Sequence, residues 1–285
     1  MKLKQGDTIG IISLSGDAKQ ERVENSRKYF EKLGYDVVLS KNILKKDRYL
    51  AGSDDEKIEE LHSFFKNPEI KLIIASRGGY GTIRLINKLD YNLIKSNPKP
   101  LCGFSDVTGI LLMIYKKCEI ITYHSPMACV DFGDNINLFT ERNFFDVING
   151  KHVTFEGNKI YGAGYAEGIL WGGNLSTVVS LCGQDFIPDK DFIFFTEELN
   201  EPVYKIDRML RQLINIDKFR QNCRAIVLGD FLDVDNKEWL EVLFNETANE
   251  LKIPMSGGYK ITHNEEKITL PIGRKAVMEG LKLVI

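Results

Sequence analysis

A serine followed by an aspartate, Ser105-Asp106, stands where both side chains could take part in chemistry. A short apolar run that ends at Phe104 precedes the pair, and an apolar stretch from Gly109 to Tyr115 follows it. This pattern is typical of a buried strand, a tight turn and a helix. A serine at the end of a strand and at a helix N-terminus lies where developing negative charge is stabilised. Ser105 is therefore a candidate nucleophile. The alternative is that Ser105 or Asp106 only caps the helix.

A serine nucleophile needs a base that accepts its proton and an acid that orients the base. The sequence contains four histidines. We expect His62, in a charged helical stretch, at the surface, and His152, at the edge of a domain, in a structural role. His124 ends a predicted strand, and His263 follows the glycine-containing segment 257–262. The residues alone do not distinguish His124 from His263 as the base.

The candidate acid is Glu197, which directly follows the apolar strand predicted over residues 192–195 and Thr196. A carboxylate at the end of a strand either faces solvent at the rim of the sheet or is aimed into a site. Both interpretations remain open for Glu197 at this point.

Residues 77–81, Arg-Gly-Gly-Tyr-Gly, form a second candidate element after a predicted strand. Glycines allow backbone N–H groups to approach a ligand closely, as an oxyanion hole requires. The segment lacks the Lys-Ser/Thr of a phosphate loop and is not a GxGxxG motif, so nucleotide binding has little support. A plain tight turn is the alternative.

Composition and motifs argue against several classes of protein. A net charge of −2 and a pI near 6.2 give nucleic acid or an anionic membrane no electrostatic attraction. No apolar run approaches the roughly 18 residues of a membrane span. We expect no metal and no cofactor, because HExxH and clustered His/Cys motifs are missing. The segment 103–107 fails the GxSxG pattern at its last position, which disfavours an ordinary α/β-hydrolase. Five scattered cysteines and an N-terminus without the apolar core of a signal peptide predict a cytoplasmic protein.

Alternating strands and helices in the first half predict a parallel, doubly wound sheet. The apolar run over residues 8–13 predicts a strand that is covered on both faces. Residues 53–56 fit a capping box at the start of a helix, and another helix is predicted to run from the turn at residues 77–81 to Leu89. Sites in such sheets form where loops leave the carboxyl ends of the strands. We expect four such loops to converge at one edge, namely residues 15–17, 77–81, 104–106 and 124–127.

The pattern changes in the second half of the chain, where shorter strands predict a β-rich α/β domain. Segments 267–274 and 276–285 are predicted to form a terminal β pair. We place the domain boundary near residues 130–155, without a long linker.

The chain resembles the LD-carboxypeptidases, serine peptidases that include the murein tetrapeptide carboxypeptidases and the microcin C immunity proteins. The similarity runs nearly from end to end. It rests on these segments: Gly6-Asp-Thr-Ile-Gly-Ile, Ser76-Arg-Gly-Gly-Tyr-Gly, Gly103-Phe-Ser-Asp-Val-Thr, Gly172-Gly-Asn-Leu-Ser, Glu197-Glu-Leu-Asn-Glu-Pro-Val-Tyr-Lys-Ile-Asp-Arg-Met-Leu, His263 and Leu270-Pro-Ile-Gly. The Gly-Phe-Ser-Asp motif together with Tyr-Lys-Ile-Asp-Arg-Met-Leu is the specific part of this signal.

The resemblance implies a Ser105–Glu197–His263 triad and so favours His263 over His124. It implies a Rossmann-like N-terminal domain over residues 1–135, which carries the nucleophile. A C-terminal domain over residues 150–285 would carry the glutamate and the histidine. A homodimer is also implied.

The implied reaction is removal of terminal D-alanine from a murein tetrapeptide, with a small peptide as the partner. The expected oxyanion donors are the backbone N–H groups of Gly79 and Asp106, and Arg77 is the candidate for the substrate carboxylate. Hydrolysis of an aminoacyl or peptidyl sulfamoyl-adenylate is an alternative, with Trp171 or Tyr80 as a platform for adenine. A non-catalytic peptide-binding protein is another.

Three positions depart from the family pattern. Glu198 replaces the usual aspartate after the triad glutamate, and Thr262 replaces the usual glycine before the histidine. Ser125 replaces the glycine of the usual His-Gly-Pro. None of these changes removes a triad side chain.

Overall fold

The computed structural model describes residues 2–285 as a mixed α/β protein. The strands are β1 Thr8–Ile12, β2 Asp36–Leu39, β3 Ile70–Ala75, β4 Leu101–Gly103, β5 Thr122–His124, β6 Thr154–Glu156, β7 Lys159–Gly162, β8 Tyr165–Asn174, β9 Phe192–Leu199, β10 Cys223–Leu232, β11 Met255–Gly257, β12 Leu270–Ile272, β13 Lys275–Glu279 and β14 Lys282–Val284. The α-helices are α1 Gln20–Lys32, α2 Asp54–Lys66, α3 Tyr91–Ser96, α4 Thr108–Cys118, α5 Leu138–Ile148, α6 Leu175–Ser180, α7 Val203–Ile214, α8 Asp217–Asn222 and α9 Lys237–Leu251. Within residues 2–285, no helix is both long enough and apolar enough to cross a membrane.

The first sheet has the strand order β2-β1-β3-β4-β5, with β12 added beside β5. The neighbouring pairs from β2 to β5 are all parallel. Ile9 and Ile11 of β1 pack with Phe30 of α1 and Phe144 of α5 in one core. Phe64 of α2 lies against Gly10 on the opposite face of β1. Helices therefore cover both faces, and the predicted doubly wound parallel sheet is confirmed. Its order reverses between β1 and β3, which is where such sheets bind ligands.

The second sheet has the order β6-β14-β13-β8-β9-β10-β11-β7. Its centre, from β8 to β11, is parallel, and the flanking strands pair antiparallel. Trp171 of β8 is fully buried in an aromatic cluster with Phe186, Phe192, Phe194 and Phe219. The predicted β-rich α/β architecture of this half is confirmed. A buried Trp171 cannot serve as a platform for adenine, so that hypothesis is wrong.

The predicted terminal β pair is also wrong. Leu270–Ile272 lies beside β5 in the first sheet, and the antiparallel hairpin forms between β13 and β14. The backbone N–H of Thr269 donates to Oδ1 of Asn143 at 2.6 Å and holds this return of the chain in place. Pro271 has no N–H to donate, which an edge strand tolerates.

The helix predicted to run from the glycine-containing turn to Leu89 is wrong as well. A short 3₁₀ helix, Thr82–Arg84, follows the turn instead, and α3 begins after it with Asp90 as its N-cap. The loops that leave the carboxyl ends of β3 and β4 therefore both contain a 3₁₀ turn. These turns are Thr82–Arg84 after β3 and Ser105–Val107 after β4. Such turns keep backbone N–H groups near the ends of the strands without intrahelical partners.

The described residues fall into two compact units. One runs to Lys151 and takes back Thr269–Pro271, and the other comprises His152–Ile268 and Ile272–Ile285. Ser105 belongs to the first unit, whereas Glu197 and His263 belong to the second.

Candidate active site

Ser105 lies in a strained turn between β4 and α4. Its φ of 59° is in the left-handed region, which residues other than glycine rarely adopt. Backbone strain of this kind costs about 1–3 kcal/mol and is concentrated at functional sites. The helix-capping alternative is wrong, because Phe104 and Val107 occupy the N-cap positions and neither helix start has a side-chain cap. The turn instead presents Ser105, which is half-buried, at the carboxyl end of a parallel strand.

Gly103 makes this turn possible. A Cβ atom at position 103 would lie 2.8 Å from Cγ1 of Val107 and 3.2 Å from Cβ of Ala75. These distances are shorter than carbon atoms tolerate in a packed interior. The serine turn (residues 103–107) therefore needs glycine two residues before Ser105.

We expect Gly103→Ala to lower the free energy of unfolding by about 1–3 kcal/mol, as overpacking typically does. Chemical denaturation of the two proteins measures the difference. The double variant Gly103→Ala/Val107→Ala removes the nearest clashing atom. Its loss of unfolding free energy should therefore be smaller than the sum of the losses in the two single variants. Additive losses would contradict the assigned contact.

The four predicted carboxyl-edge loops of the first sheet do converge. The N–H of Gly16 donates to the carbonyl of Gly78 at 3.3 Å. Ser15 Oγ donates to Asp106 Oδ2 at 2.6 Å. The N–H of Ser125 donates to the carbonyl of Gly103 at 3.0 Å. The first three loops are thus hydrogen-bonded to one another, and the fourth is hydrogen-bonded to Gly103 at the end of β4, two residues before Ser105.

The glycine loop (residues 77–81) lies directly against Ser105. A Cβ atom on Gly78 would lie 3.0 Å from Cβ and 3.1 Å from Oγ of Ser105, and 3.7 Å from the backbone nitrogen of Asp106. Gly79 has a φ of 129°, a conformation that side chains disfavour. The plain-turn alternative fails here, because this backbone is packed on the candidate nucleophile.

Glu197 and His263 lie next to each other within the other compact unit. Glu197 lies on β9 between β8 and β10 and is fully buried, so it is not a rim charge. His263 lies in the loop after β11, and its side chain is 20% exposed. Nδ1 of His263 lies 2.9 Å from Oε2 of Glu197. This contact orients the imidazole through its Nδ1 atom.

Comparison with known proteins identifies the family of this chain. Residues 9–125 match the LD-carboxypeptidase N-terminal domain, and residues 167–278 match the LD-carboxypeptidase C-terminal domain. The probable murein peptide carboxypeptidase of Bacillus subtilis (strain 168) is 32% identical over 287 residues, which cover 97% of this chain and 90% of that protein. The chain belongs to the LD-carboxypeptidase family.

Three further proteins are similar to this chain over nearly its whole length. The murein tetrapeptide carboxypeptidase of Pseudomonas aeruginosa is 28% identical, with 96% of this chain and 94% of that protein covered. The MccF-like protein of Bacillus anthracis str. Ames superposes with a TM-score of 0.91 at 27% identity, covering 100% and 98% of the two chains. The microcin C7 self-immunity protein MccF in complex with aspartyl sulfamoyl adenosine superposes with a TM-score of 0.90 at 26% identity, covering 100% and 97%.

Arg77 connects two of the carboxyl-edge loops. Its Nε donates to the carbonyl of Gly78 at 3.1 Å, and its Nη1 donates to the carbonyl of Asp17 at 3.3 Å. The residue is exposed. A guanidinium group has five N–H donors, so these two bonds leave others for a ligand.

The three residues that depart from the pattern of the LD-carboxypeptidase family all form hydrogen bonds with residues near them. Glu198 accepts hydrogen bonds from Asn174 Nδ2 at 2.9 Å, from the N–H of Ser176 at 2.7 Å and from its neighbour Leu199. Burial raises the pKa of Glu198 and the charge of Glu197 adds to this, while the three hydrogen bonds oppose it.

The other two departures also have partners. Thr262 Oγ1 accepts the N–H of Asn264 at 3.0 Å, one residue after His263. Ser125 Oγ donates to the carbonyl of Pro126 at 3.2 Å. The changes therefore alter hydrogen bonds around the loops while the Glu197–His263 contact is kept.

The other histidines have different surroundings. His124, the second candidate base, is buried in the first unit with its ring centroid 5.8 Å from that of Phe104. His62 is half-buried on α2, where its Nε2 accepts the N–H of Asp90 at 3.0 Å. Burial lowers the pKa of His62. His152 begins the second compact unit.

Two further residues near Ser105, Thr82 and Lys57, were not predicted from the sequence. Thr82 lies beneath the serine turn, where its Oγ1 donates to the carbonyl of Asp106. Lys57 is fully buried. The spacing of Lys57, Leu61 and Phe64 along α2 could have indicated the burial of Lys57, because the three residues share the apolar face of the helix. A lysine on such a face needs a partner for its charge.

Proposed function

We propose that this protein is a serine-type LD-carboxypeptidase that removes terminal D-alanine from murein tetrapeptides in cell-wall recycling. The bond cut is the one between D-alanine and meso-diaminopimelate or L-lysine. The observation that supports this most is the strained Ser105, packed against the glycine loop at the carboxyl edge of a parallel sheet. The murein peptide and tetrapeptide carboxypeptidases among the relatives support the substrate class.

In the proposed mechanism, His263 accepts the proton of Ser105, and Glu197 orients the imidazole and stabilises its cation. Ser105 Oγ attacks the amide carbonyl and forms a tetrahedral oxyanion. His263 then donates its proton to the leaving amine of D-alanine, which leaves an acyl-enzyme. Water, activated by His263, hydrolyses the ester and restores Ser105.

The proposed oxyanion donors are the N–H groups of Gly79 and Asp106. One preorganised donor of this kind is worth about 3–4 kcal/mol of barrier. Support comes from the contact of Gly78 with Ser105, which keeps this backbone beside the nucleophile. We assign the terminal carboxylate of the substrate to Arg77, which has N–H donors beyond its two bonds to backbone carbonyls.

The direct test is incubation of the purified protein with murein tetrapeptide, followed by mass spectrometry. We expect conversion to tripeptide with release of one alanine per molecule. A tetrapeptide that ends in L-alanine serves as the control and should remain intact. A protein that leaves the D-alanine peptide unchanged contradicts the proposal. A cytoplasmic location, which the cysteines and the N-terminus predict, and a homodimer, which the family resemblance implies, stay predictions.

A second candidate function is hydrolysis of an aminoacyl sulfamoyl-adenylate, the class of ligand bound in the MccF complex. One observation favours it. Tyr80 of the glycine loop is 46% exposed and packs edge-to-face with Tyr49, which is 54% exposed, with ring centroids 5.6 Å apart. Exposed rings beside a candidate nucleophile could stack on adenine.

If a sulfamoyl-adenylate is the substrate, we expect Tyr80→Ala to raise its KM by about 3- to 10-fold, the value of one aromatic contact. Hydrolysis of murein tetrapeptide should be unaffected. Tyr204→Ala is the matched control, because Tyr204 is another largely exposed tyrosine, at 60%, and lies on α7. Steady-state kinetics on both substrates distinguishes the two functions. If Tyr80→Ala and Tyr204→Ala change KM for the sulfamoyl-adenylate equally, Tyr80 does not support that function.

A further inference from the structure

The carboxylate of Asp106 joins three loops at the candidate site. Its residue is only 9% exposed. Oδ2 accepts Ser15 Oγ at 2.6 Å and the N–H of Thr82 at 3.1 Å, and Oδ1 accepts the N–H of Gly81 at 3.3 Å. The loop after β1, the glycine loop and the serine turn are therefore held by one side chain.

The main chain of Asp106 adds a fourth connection. Its carbonyl accepts Thr82 Oγ1, so Thr82 binds both the backbone and the side chain of Asp106. Asp106 directly follows Ser105, and a Cβ atom on Gly78, near the other end of the glycine loop, would lie only 3.1 Å from Ser105 Oγ. The glycine loop is thus hydrogen-bonded to the serine turn at Gly81 and lies close to Ser105 at Gly78.

Lys57 places a positive charge below this junction. Its ammonium group is fully buried and lies 3.6 Å from Oδ1 of Asp54. A Cβ atom on Gly81 would lie 3.2 Å from Nζ, so Lys57 also packs against the end of the glycine loop. Burial lowers the pKa of Lys57, whereas the charges of Asp54 and Asp106 raise it. The buried carboxylate of Asp106 thus has both hydrogen-bond donors and a nearby cation.

We propose that the side chain of Asp106 is a positioning residue: it fixes the backbone of the glycine loop at the distance from Ser105 that the reaction requires. The proposal rests on the proposed function, since it assigns a role within the same serine chemistry. It differs from the assigned role of the Asp106 backbone, because the carboxylate acts through Gly81, Thr82 and Ser15 and does not touch the substrate. Small displacements of such a loop slow the reaction strongly, because a misplacement of about 1 Å can lower the rate by 10²-fold.

Asp106→Asn tests the proposal. The amide keeps one oxygen acceptor and places an NH₂ group where a second acceptor is needed, so one of the two backbone N–H groups loses its partner. We expect kcat for tetrapeptide hydrolysis to fall by about 10- to 100-fold, with KM within about 3-fold of the unsubstituted protein. Labelling of Ser105 by a serine-directed phosphonate should slow by a similar factor.

Asp90→Asn is the matched control. Asp90 Oδ1 accepts the N–H of Leu93 at 2.9 Å at the start of α3, so it is another carboxylate that binds a backbone N–H in the same unit. Both variants should lose some thermal stability, but only Asp106→Asn should lose kcat. A merely structural role for Asp106 predicts lower stability and an unchanged kcat below the unfolding temperature, and that result would overturn the proposal.

Ser15→Ala keeps the proposal testable if Asp106→Asn does not fold. It removes the hydroxyl donor from the carboxylate and leaves both backbone N–H bonds, so kcat should fall by a smaller factor of about 3- to 10-fold. An unchanged kcat in Ser15→Ala and in any folded Asp106 variant, together with an inactive Ser105→Ala, refutes the positioning role alone. Full activity of Ser105→Ala refutes the proposed function instead.

Discussion

Ser105→Ala is expected to lower kcat for tetrapeptide hydrolysis by about 10⁴- to 10⁶-fold, the loss typical of a removed serine nucleophile. Without Oγ no acyl-enzyme can form, and only binding and the oxyanion donors remain. Alanine and serine disfavour the left-handed region similarly, so the strain at position 105 stays and the fold should keep its stability. Alanine release measured by mass spectrometry, alongside a thermal melt, gives both quantities.

Ser125→Ala is the control for this experiment. Ser125 is buried in the neighbouring loop, where its hydroxyl donates to the carbonyl of Pro126, and its loss should leave kcat within a few-fold. A serine-directed phosphonate should add one adduct to the unsubstituted protein and to Ser125→Ala but none to Ser105→Ala. Absence of any adduct on the unsubstituted protein would favour the non-catalytic peptide-binding alternative.

Local signals predicted much of the fold. The capping box at the start of α2 is an example: the N–H of Glu56 donates to Ser53 Oγ at 3.3 Å, and the N–H of Ser53 donates to Oε2 of Glu56 at 3.0 Å. Both partners lie three residues apart, so the sequence contains the whole interaction. Likewise, the apolar run of β1 predicted a strand covered on both faces.

Long-range partners could not be predicted in this way. Leu270–Ile272 reads like one arm of a hairpin, yet it joins a sheet formed by the first half of the chain. Strand patterns specify which face is buried but not which strand is the neighbour. The burial of Trp171 has the same cause, since the four phenylalanines around it come from three different segments of the chain. Phe192 and Phe194 lie on β9, Phe186 lies in the loop before β9, and Phe219 lies on α8.

The candidate site shows the same limit. Glycines and polar residues at strand ends predicted which loops converge in the first unit. No local pattern indicated that the carboxylate of Asp106 accepts hydrogen bonds from Ser15, 91 positions away, and from Gly81, 25 positions away. Nor did residue types separate His124 from His263; the contact of Nδ1 of His263 with Glu197 supports His263 on geometry that no spacing rule contains.

His263→Ala is expected to lower kcat by about 10⁴-fold or more, because no other group would take the proton of Ser105. Glu197→Gln should lower kcat by a comparable factor of about 10⁴, since the neutral amide favours the wrong tautomer of the His263 imidazole and no longer stabilises its cation. Glu197 is fully buried between two strands, so Gln, which has the same shape, should fold. Steady-state kinetics with tetrapeptide, supported by circular dichroism of each variant, measures these effects.

His124→Ala decides between the two candidate bases. His124 is buried and packs against Phe104, so its loss should lower stability through a cavity and displaced neighbours, by about 2–4 kcal/mol. Its kcat should nevertheless stay within about 10-fold of the unsubstituted protein at a temperature where the variant is folded. The double variant Ser105→Ala/His263→Ala should be no less active than either single variant. Residues that act as one unit are non-additive, since removing one of them already abolishes the contribution of the other. A larger loss of kcat in His124→Ala than in His263→Ala would instead assign proton transfer to the histidine of the first unit, and the contact between Glu197 and His263 would then be structural.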